Sequence, residues 1–325
     1  MNLVLCPVCR SPCTDPPLNR YTAPQAAAHF CPPERDADRN ARLTASIRRL
    51  WQGETCEILR CRECGFAFGN PFVGGDEEFY AIRHETKDYP GWYWDHDVAM
   101  EQAIAPLGGG RILEIGAGTG AFLASLGPKW QCYAVEASES NRADLEKKGI
   151  AVVRDLDAAV AAGRGTFQAV VMFQTLEHIA EFKRVLTQCR ELLAPDGRLV
   201  LTVPDCDAML DQERIVGWAD MPPNHINKFT PASLARTLTE AGFTPGPALA
   251  EPSSWLLARH AVFMRVQADA QKQGTIASAV YRLSNATLRR AGLALLGIGA
   301  LLRLLPHPAE LRRGRSFAMT ASPAP

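Results

Sequence analysis

The sequence predicts an α/β fold: a doubly wound sheet of parallel strands covered by helices, with a small cysteine-bearing region ahead of it. Three observations predict it. The run Arg111-Ile112-Leu113-Glu114-Ile115 gives way to Gly116-Ala117-Gly118-Thr119-Gly120 and then to the helically spaced Ala121–Leu126. Strand, glycine turn and helix start in that order make a nucleotide-binding crevice. Apolar strand-like runs then alternate with helix-like segments as far as Val203, which means βαβ units and a parallel sheet. Before all of these stand two Cys-x-x-Cys knuckles, Cys6-Pro7-Val8-Cys9 and Cys61-Arg62-Glu63-Cys64.

Taken in order, the knuckles come first. Four thiolates at tetrahedral reach form a structural zinc site, and Gly65 allows the tight turn that aims the sulfurs inward. Redox proteins share a single Cys-x-x-Cys, but here there are two, and neither follows a thioredoxin-like strand. Fifty-one residues separate the knuckles, so that stretch is a looped-out insertion, with helical character from Arg35 to Trp51. Cys13, Cys31 and Cys56 are spare, and Cys13 is the one placed to substitute as a ligand. Tyr89 to His96 (Tyr-Pro-Gly-Trp-Tyr-Trp-Asp-His) is dense in aromatic residues and serves either as a lid over the site or as packing between two domains.

The core elements follow. After the first strand and its glycine turn, Gln131–Glu136 is a second strand. Glu139–Lys148 is a charged helix closed by Gly149, and Ile150–Arg154 is a third strand ending at Asp155. Thr166–Phe173 is apolar and β-rich, as a buried parallel strand should be. Gln174-Thr175-Leu176-Glu177-His178 comes next, then a helix over Phe182–Leu193. Pro195-Asp196-Gly197 turns the chain into a fifth strand, Arg198–Val203, stopped by Pro204. Trp255–Met264 is expected as a sixth strand and Arg315–Thr320 as a seventh, with about fifty residues between them where a hairpin would suffice. Within that stretch Ala291–Leu302 is unbroken apolar chain, with Arg289-Arg290 before it and Arg303 after. It is short of the ~20 residues that span a bilayer. Two readings remain: a helix packed on the domain or on a second subunit, or a peripheral membrane contact through 289–305 anchored by Arg282, Arg289, Arg290, Arg312 and Arg313. The expected organisation is a zinc-binding region at 1–75, an aromatic linker or lid at 76–108, the main domain at 109–265 plus 314–323, and a helical insertion at 266–313.

Composition narrows the partners. The chain has 325 residues, and its 47% hydrophobic content is enough for a large core. Thirty-five basic and thirty-five acidic residues cancel, so no global field draws nucleic acid. No secretory leader opens the chain, and ten cysteines without one suggest reduced thiols and bound metal. The expected place is the cytoplasm, with the inner membrane surface as a peripheral variant.

Gly-x-Gly-x-Gly is not the dinucleotide fingerprint, because its third glycine comes one residue early. With Glu114 in front and Glu136 ending the next strand, it resembles motif I of the class I S-adenosylmethionine-dependent methyltransferases. The family's later features follow in order: Phe167-Gln-Ala-Val-Val-Met172, Leu176-Glu-His178, Leu193-Ala-Pro-Asp-Gly-Arg-Leu-Val-Leu-Thr-Val-Pro204, Lys228-Phe-Thr-Pro-Ala-Ser-Leu234 and Ala241-Gly-Phe243. The resemblance implies a Rossmann-like, seven-stranded class I methyltransferase fold and S-adenosylmethionine as cofactor. It implies that Glu114 holds the ammonium and that the backbone of Gly116, Ala117, Gly118 and Gly120 runs under the amino acid and ribose. Glu136 then takes both ribose hydroxyls, Asp155 with Leu156 recognises the adenine, and Gln174 faces the cofactor. Each acid has an alternative as a cap or a solvated group, and Asp157 stands ready to replace Asp155.

A zinc-binding region (Cys6, Cys9, Cys61, Cys64) ahead of such a domain resembles a bacterial combination among enzymes that modify sugars and related small molecules. It implies a small acceptor: a sugar, a nucleotide-sugar or a lipid-linked precursor. Transfer is an in-line displacement governed by positioning, and a base is needed only for a hydroxyl or carbon acid. His178 and His225 lie where the mouth of the site belongs, each with a hydrogen-bonded structural histidine as its alternative. Glu177-His178 resembles the end of the Glu-x-x-Glu-His motif by which some relatives bind a divalent ion, but Gln174 replaces the first acid and counts against magnesium. The rival functions are a methyltransferase-like scaffold without turnover and, more remotely, a nicotinamide oxidoreductase.

Overall fold

The computed structural model describes residues 3–83, 85, 93–216, 221–272, 274–283, 285–306 and 314–325. Between the knuckles, β1 (Asn19–Thr22) and β2 (Thr55–Arg60) pair antiparallel and carry a helical hairpin, α1 (Ala23–Phe30) and α2 (Ala37–Trp51). Thr22 and Gln25 close a capping box over α1, with Pro24 in its first turn. Asp36 caps α2, and Gln52 ends it in the left-handed region. The insertion is therefore an ordered hairpin. β3 (Ala67–Asn70) pairs with β2, and β9 (Asn227–Lys228) returns from far along the chain to pair with β3, giving a four-stranded sheet β1-β2-β3-β9.

After α3 (Glu77–Arg83) and α4 (Trp94–Ala99), a π turn at Met100–Ile104 and α5 (Ala105–Leu107) lead into the main sheet. Its strands and helices are β4 (Gly110–Ile115), α6 (Ala121–Ala124), β5 (Trp130–Val135), α7 (Glu139–Lys147), β6 (Ala151–Val153), α8 (Leu156–Gly163), β7 (Phe167–Phe173), α9 (Phe182–Leu192) and β8 (Leu193–Pro204). Then follow α10 (Cys206–Val216), α11 (Pro231–Glu240), β10 (Phe243–Ala250), α12 (Trp255–Gln271), α13 (Ile276–Tyr281), α14 (Ala286–Leu304) and β11 (Ser316–Pro323). The seven strands lie in the order β10-β11-β8-β7-β4-β5-β6. The pairs β8–β7, β7–β4, β4–β5 and β5–β6 are parallel. This is the Rossmann-like class I methyltransferase sheet that the sequence predicts, with the last strand of the chain seated inside it.

One strand expectation fails. Trp255–Met264 is not the sixth strand but the start of α12, capped by Ser254, whose hydroxyl accepts the Leu257 N–H. Leu, Ala, Arg and Met dominate that run and favour helix, and a continuous apolar segment has no periodicity to separate the two states. The sixth strand is β10, which includes Pro245, Gly246 and Pro247. It tolerates them because it lies at the sheet edge, where a missing N–H breaks no ladder on the open side.

The chain divides into two compact units, 1–206 with 221–249 and 317–325, and 207–220 with 250–316. The knuckles do not stand apart from the first unit. Cys6, Val8, Phe66 and Phe68 share one apolar core with Leu186, Leu201 and Phe229. The second unit draws on two separate stretches of chain, 207–220 and 250–316. No helix among the described residues is long and apolar enough to cross a membrane.

Candidate functional site

β4 and β7 are neighbours whose crossovers run to opposite sides of the sheet, so a crevice opens at their carboxyl ends. The glycine turn lines it. Gly116, Gly118 and Gly120 have φ of 77°, 53° and 71°, a region side chains rarely enter. A Cβ on Gly116 would meet Thr175 Oγ1 at 2.6 Å, and one on Gly120 would meet Leu145 Cδ2 at 2.4 Å. Gly116 and Gly120 thus have no room for a side chain, and Gly118 adopts a conformation that favours glycine. Ala117, between them, is buried.

Glu136 follows β5 and holds the turn: its Oε2 accepts the Gly118 N–H at 2.8 Å and its Oε1 the Ser138 N–H at 2.8 Å. Glu114, on β4, is 4% exposed, and its Oε2 makes no hydrogen bond among the described residues. Desolvation first, then the charges of Asp95 and Glu136, push its carboxyl well above the usual range. Asp95, on α4, is also buried and raised by burial. Its Oδ1 accepts the His96 N–H at 3.0 Å and its Oδ2 the Thr202 hydroxyl at 3.1 Å. A buried carboxylate with an unused oxygen, beside a second acid, is a seat for a cation. That fits the ammonium of S-adenosylmethionine. Asp95 belongs to the aromatic segment Tyr89–His96, expected either as a lid or as packing between two domains; of that segment, residues 89–92 lie outside the described residues.

Asp155 sits at the start of α8 with both oxygens engaged, Oδ1 by the Ala158 N–H and Oδ2 by Arg154 Nε, each at 2.8 Å. The Ala158 hydrogen bond holds its carboxyl below the ordinary range. It is the helix cap that its sequence alternative named, although each oxygen keeps a second lone pair. Leu156, beside it, packs on the core. Gln174 follows β7 at φ 49°, and its N–H donates to Thr202 O at 3.0 Å. A non-glycine residue held in that region is a mark of functional loops.

Past Gln174, the two candidate histidines meet. The rings of His178 and His225 lie 4.6 Å apart. Their nitrogens and a carboxylate oxygen of fully buried Glu177 fall within 4.8 Å of one another. His178 Nδ1 is 2.8 Å from Asn224 O. A carbonyl only accepts, so Nδ1 carries a proton and donates it to Asn224 O. Tyr80 Oη stands 3.2 Å from the same Nδ1, and burial pushes its phenol pKa up. Nothing in the spacing around Tyr80 pointed to the site; the α3 helix that carries it is placed by tertiary packing.

The four knuckle cysteines also converge. Cys6 Sγ lies 3.6 Å from Cys64 Sγ, and Cys9 Sγ 3.5 Å from Cys61 Sγ. All four sulfurs fall within 4.8 Å of one another. A zinc ion bonded to sulfur at about 2.3 Å sets sulfurs about 3.8 Å apart, so this set fits one. Each knuckle ends on a left-handed residue, Arg10 at φ 64° and Gly65 at φ 73°, and the amides of Val8 and Cys9 donate to the Cys6 sulfur as those of Glu63 and Cys64 do to Cys61. The Cys64 thiol, by hydrogen bonding, draws Cys6 down to about 5, toward the thiolate that binds metal. Cys13 is outside the quartet, its thiol pushed up to about 12 by burial.

A family described as "Methyltransferase domain" matches residues 93–245. The ubiquinone biosynthesis O-methyltransferase of Dinoroseobacter shibae is 31% identical over 157 residues, covering 43% of this chain and 62% of that protein. The same-named protein of Cereibacter sphaeroides is 29% identical over 168 residues, covering 47% and 66%. The chain thus spans just under two thirds of these curated relatives. Among solved structures, Burkholderia thailandensis 1,6-didemethyltoxoflavin-N1-methyltransferase, with bound 1,6-didemethyltoxoflavin and S-adenosylhomocysteine, is 18% identical with a TM-score of 0.42. The match covers 71% of this chain and 79% of that one.

Proposed function

We propose, on the premise that residues 93–245 are a class I S-adenosylmethionine-dependent methyltransferase domain, that the chain transfers a methyl group to the hydroxyl of a small acceptor. The observation that carries this is the buried Glu114 with its unused oxygen, set beside a glycine turn that only glycine can form. The cofactor supplies a methyl already activated by its sulfonium. Glu114 and Asp95 hold the ammonium, Glu136 takes the ribose hydroxyls, and Asp155 and Leu156 border the adenine. His225 accepts the acceptor's proton, with His178 as its competitor. Relatives named as O-methyltransferases favour a hydroxyl. The knuckles favour a sugar, a nucleotide-sugar or a lipid-linked precursor, by resemblance to sugar-modifying enzymes. A labelled-methyl screen of these acceptors against precursors of ubiquinone decides between them. Absence of transfer to any acceptor, with intact cofactor binding, would support the scaffold reading.

Two predictions test the cofactor site. S-adenosylmethionine should bind in the micromolar range, about −8 kcal/mol, with no comparable binding of NAD. Glu136→Ala should weaken it by about 1 to 3 kcal/mol through lost charge-assisted hydrogen bonds; indifference to that change would sink the assignment. The second concerns pH. Burial keeps Glu114 protonated above the ordinary carboxylate range in the free protein, whereas an adjacent ammonium favours the carboxylate. Binding therefore expels a proton between those two ranges, and affinity rises with pH across them. The same raised acid costs the free protein stability as pH climbs above its unfolded value, and nothing below it. Calorimetry in two buffers of different ionisation enthalpy should report the release, and Glu114→Gln should abolish it. Binding with no proton release throughout that interval removes Glu114 from the ammonium seat.

A second reading rests on the three donors within 4.8 Å: Glu177, His178 and His225 as the seat of a divalent cation. It supplies from His225 the ligand that Gln174 fails to provide. Dialysis against chelator separates the two, since only this reading predicts that activity is lost and then restored by added magnesium or manganese.

A further inference from the structure

The second unit is built on α12, α13 and α14, and α14 has an apolar face that the unit does not use. Its inner side is closed by small and buried residues. Gly292 faces Val280, whose Cγ1 a Cβ would meet at 2.6 Å, and Ala300 and Leu304 are buried. On the outer side Leu288, Leu295, Ile298, Leu302 and Leu305 are 57 to 70% exposed. They recur every three or four residues, or two turns apart, and so form one stripe. A stripe of large aliphatic side chains facing water marks a docking surface.

Charge identifies what docks. Between Asp269 and Glu310 the chain contains no acid, while Lys272, Arg282, Arg289, Arg290 and Arg303 fall within that interval. Over residues 250–316 ten Lys and Arg stand against three Asp and Glu, a net +7, and the unit's other segment, 207–220, adds one Arg against four acids and leaves the unit at +4. The whole chain is neutral, so the first unit carries −4. A second copy of the stripe would bring like charges together, with none of the opposite charges that flank a helical seam and fix its pairing. An anionic lipid surface offers the opposite sign beside an apolar layer. The helix does not meet the requirements for crossing a membrane, but an interfacial helix needs only one apolar face and a basic border.

We propose that α14 lies along an anionic bilayer surface, with Leu295, Ile298 and Leu302 in the acyl boundary and the surrounding arginines on headgroup phosphates. The face is independent of the crevice, so the proposal stands whichever acceptor the domain methylates.

Flotation of the full chain tests it, with vesicles of phosphatidylcholine alone and of phosphatidylcholine mixed with phosphatidylglycerol. The protein should float with the mixed vesicles and be released by raised salt. Leu295→Glu with Leu302→Glu should cut that partition about tenfold or more. Arg282→Glu with Arg290→Glu should do the same without disturbing any apolar contact. S-adenosylmethionine affinity should be unchanged in both variants, which shows that the protein remains folded. Failure of the parent protein to float with mixed vesicles overturns the proposal. So does a concentration-dependent doubling of mass that the leucine variant abolishes, which would assign the stripe to a second copy.

Discussion

Replacing His225 with glutamine should slow methyl transfer by about 10² to 10⁴, the usual contribution of a positioned base, while cofactor affinity barely moves. Geometry underlies the separation. His225 stands beside His178 and Glu177, whereas the carboxylates that would hold the cofactor are Glu114, Asp95 and Glu136. Glutamine preserves hydrogen bonding, so a structural histidine would survive the change with its rate nearly intact. His178→Gln should disturb both binding and rate, because His178 shares its loop with Gln174. Near-normal turnover in both variants would leave positioning alone as the mechanism and withdraw both histidines.

Purified protein should carry about one zinc per chain, and Cys61→Ser with Cys64→Ser should release it. Structural zinc contributes of order 10 kcal/mol in small domains, comparable with the whole stability of many proteins. Loss of the ion should therefore unfold the amino-terminal region. The damage should reach the histidines, because Cys61 and Cys64 immediately precede β3, which pairs with β9. The Gly69 N–H also donates to Ile226 O at 3.1 Å, one residue past His225. Transfer should consequently fall further than cofactor binding, which depends on β4 and β5. Metal-free protein with an unchanged melting profile would make the four thiols redox or merely buried groups.

The legible parts of this protein are those set by short-range constraint. Glycine alone suits the positive φ at Gly116, Gly118 and Gly120, so the cofactor turn shows in the letters themselves. Knuckle spacing did the same for the four cysteines, since two ligands on one tight turn must be close. Strands β4 to β8 showed as apolar runs because a parallel sheet buries both faces. The site's remaining residues carried no such signal. Asp95 comes from an aromatic segment and Tyr80 from a short helix, and each gains its meaning from a partner far away in sequence.

By itself, then, the sequence determined the α/β class, the order of the core strands, the glycine turn with its flanking acids, and the cysteine quartet. Each of these follows from backbone conformation or from ligands a few residues apart. Only the tertiary structure decided that Trp255 begins a helix and that β10 forms the strand, because an open sheet edge, invisible in the sequence, is what makes its prolines tolerable. Only it joined β9 to β3, so that the strand after the second knuckle and the strand two residues past His225 share a sheet. Pairings across long separations are chosen by which surfaces can be buried together, and that choice is made by the folded chain as a whole.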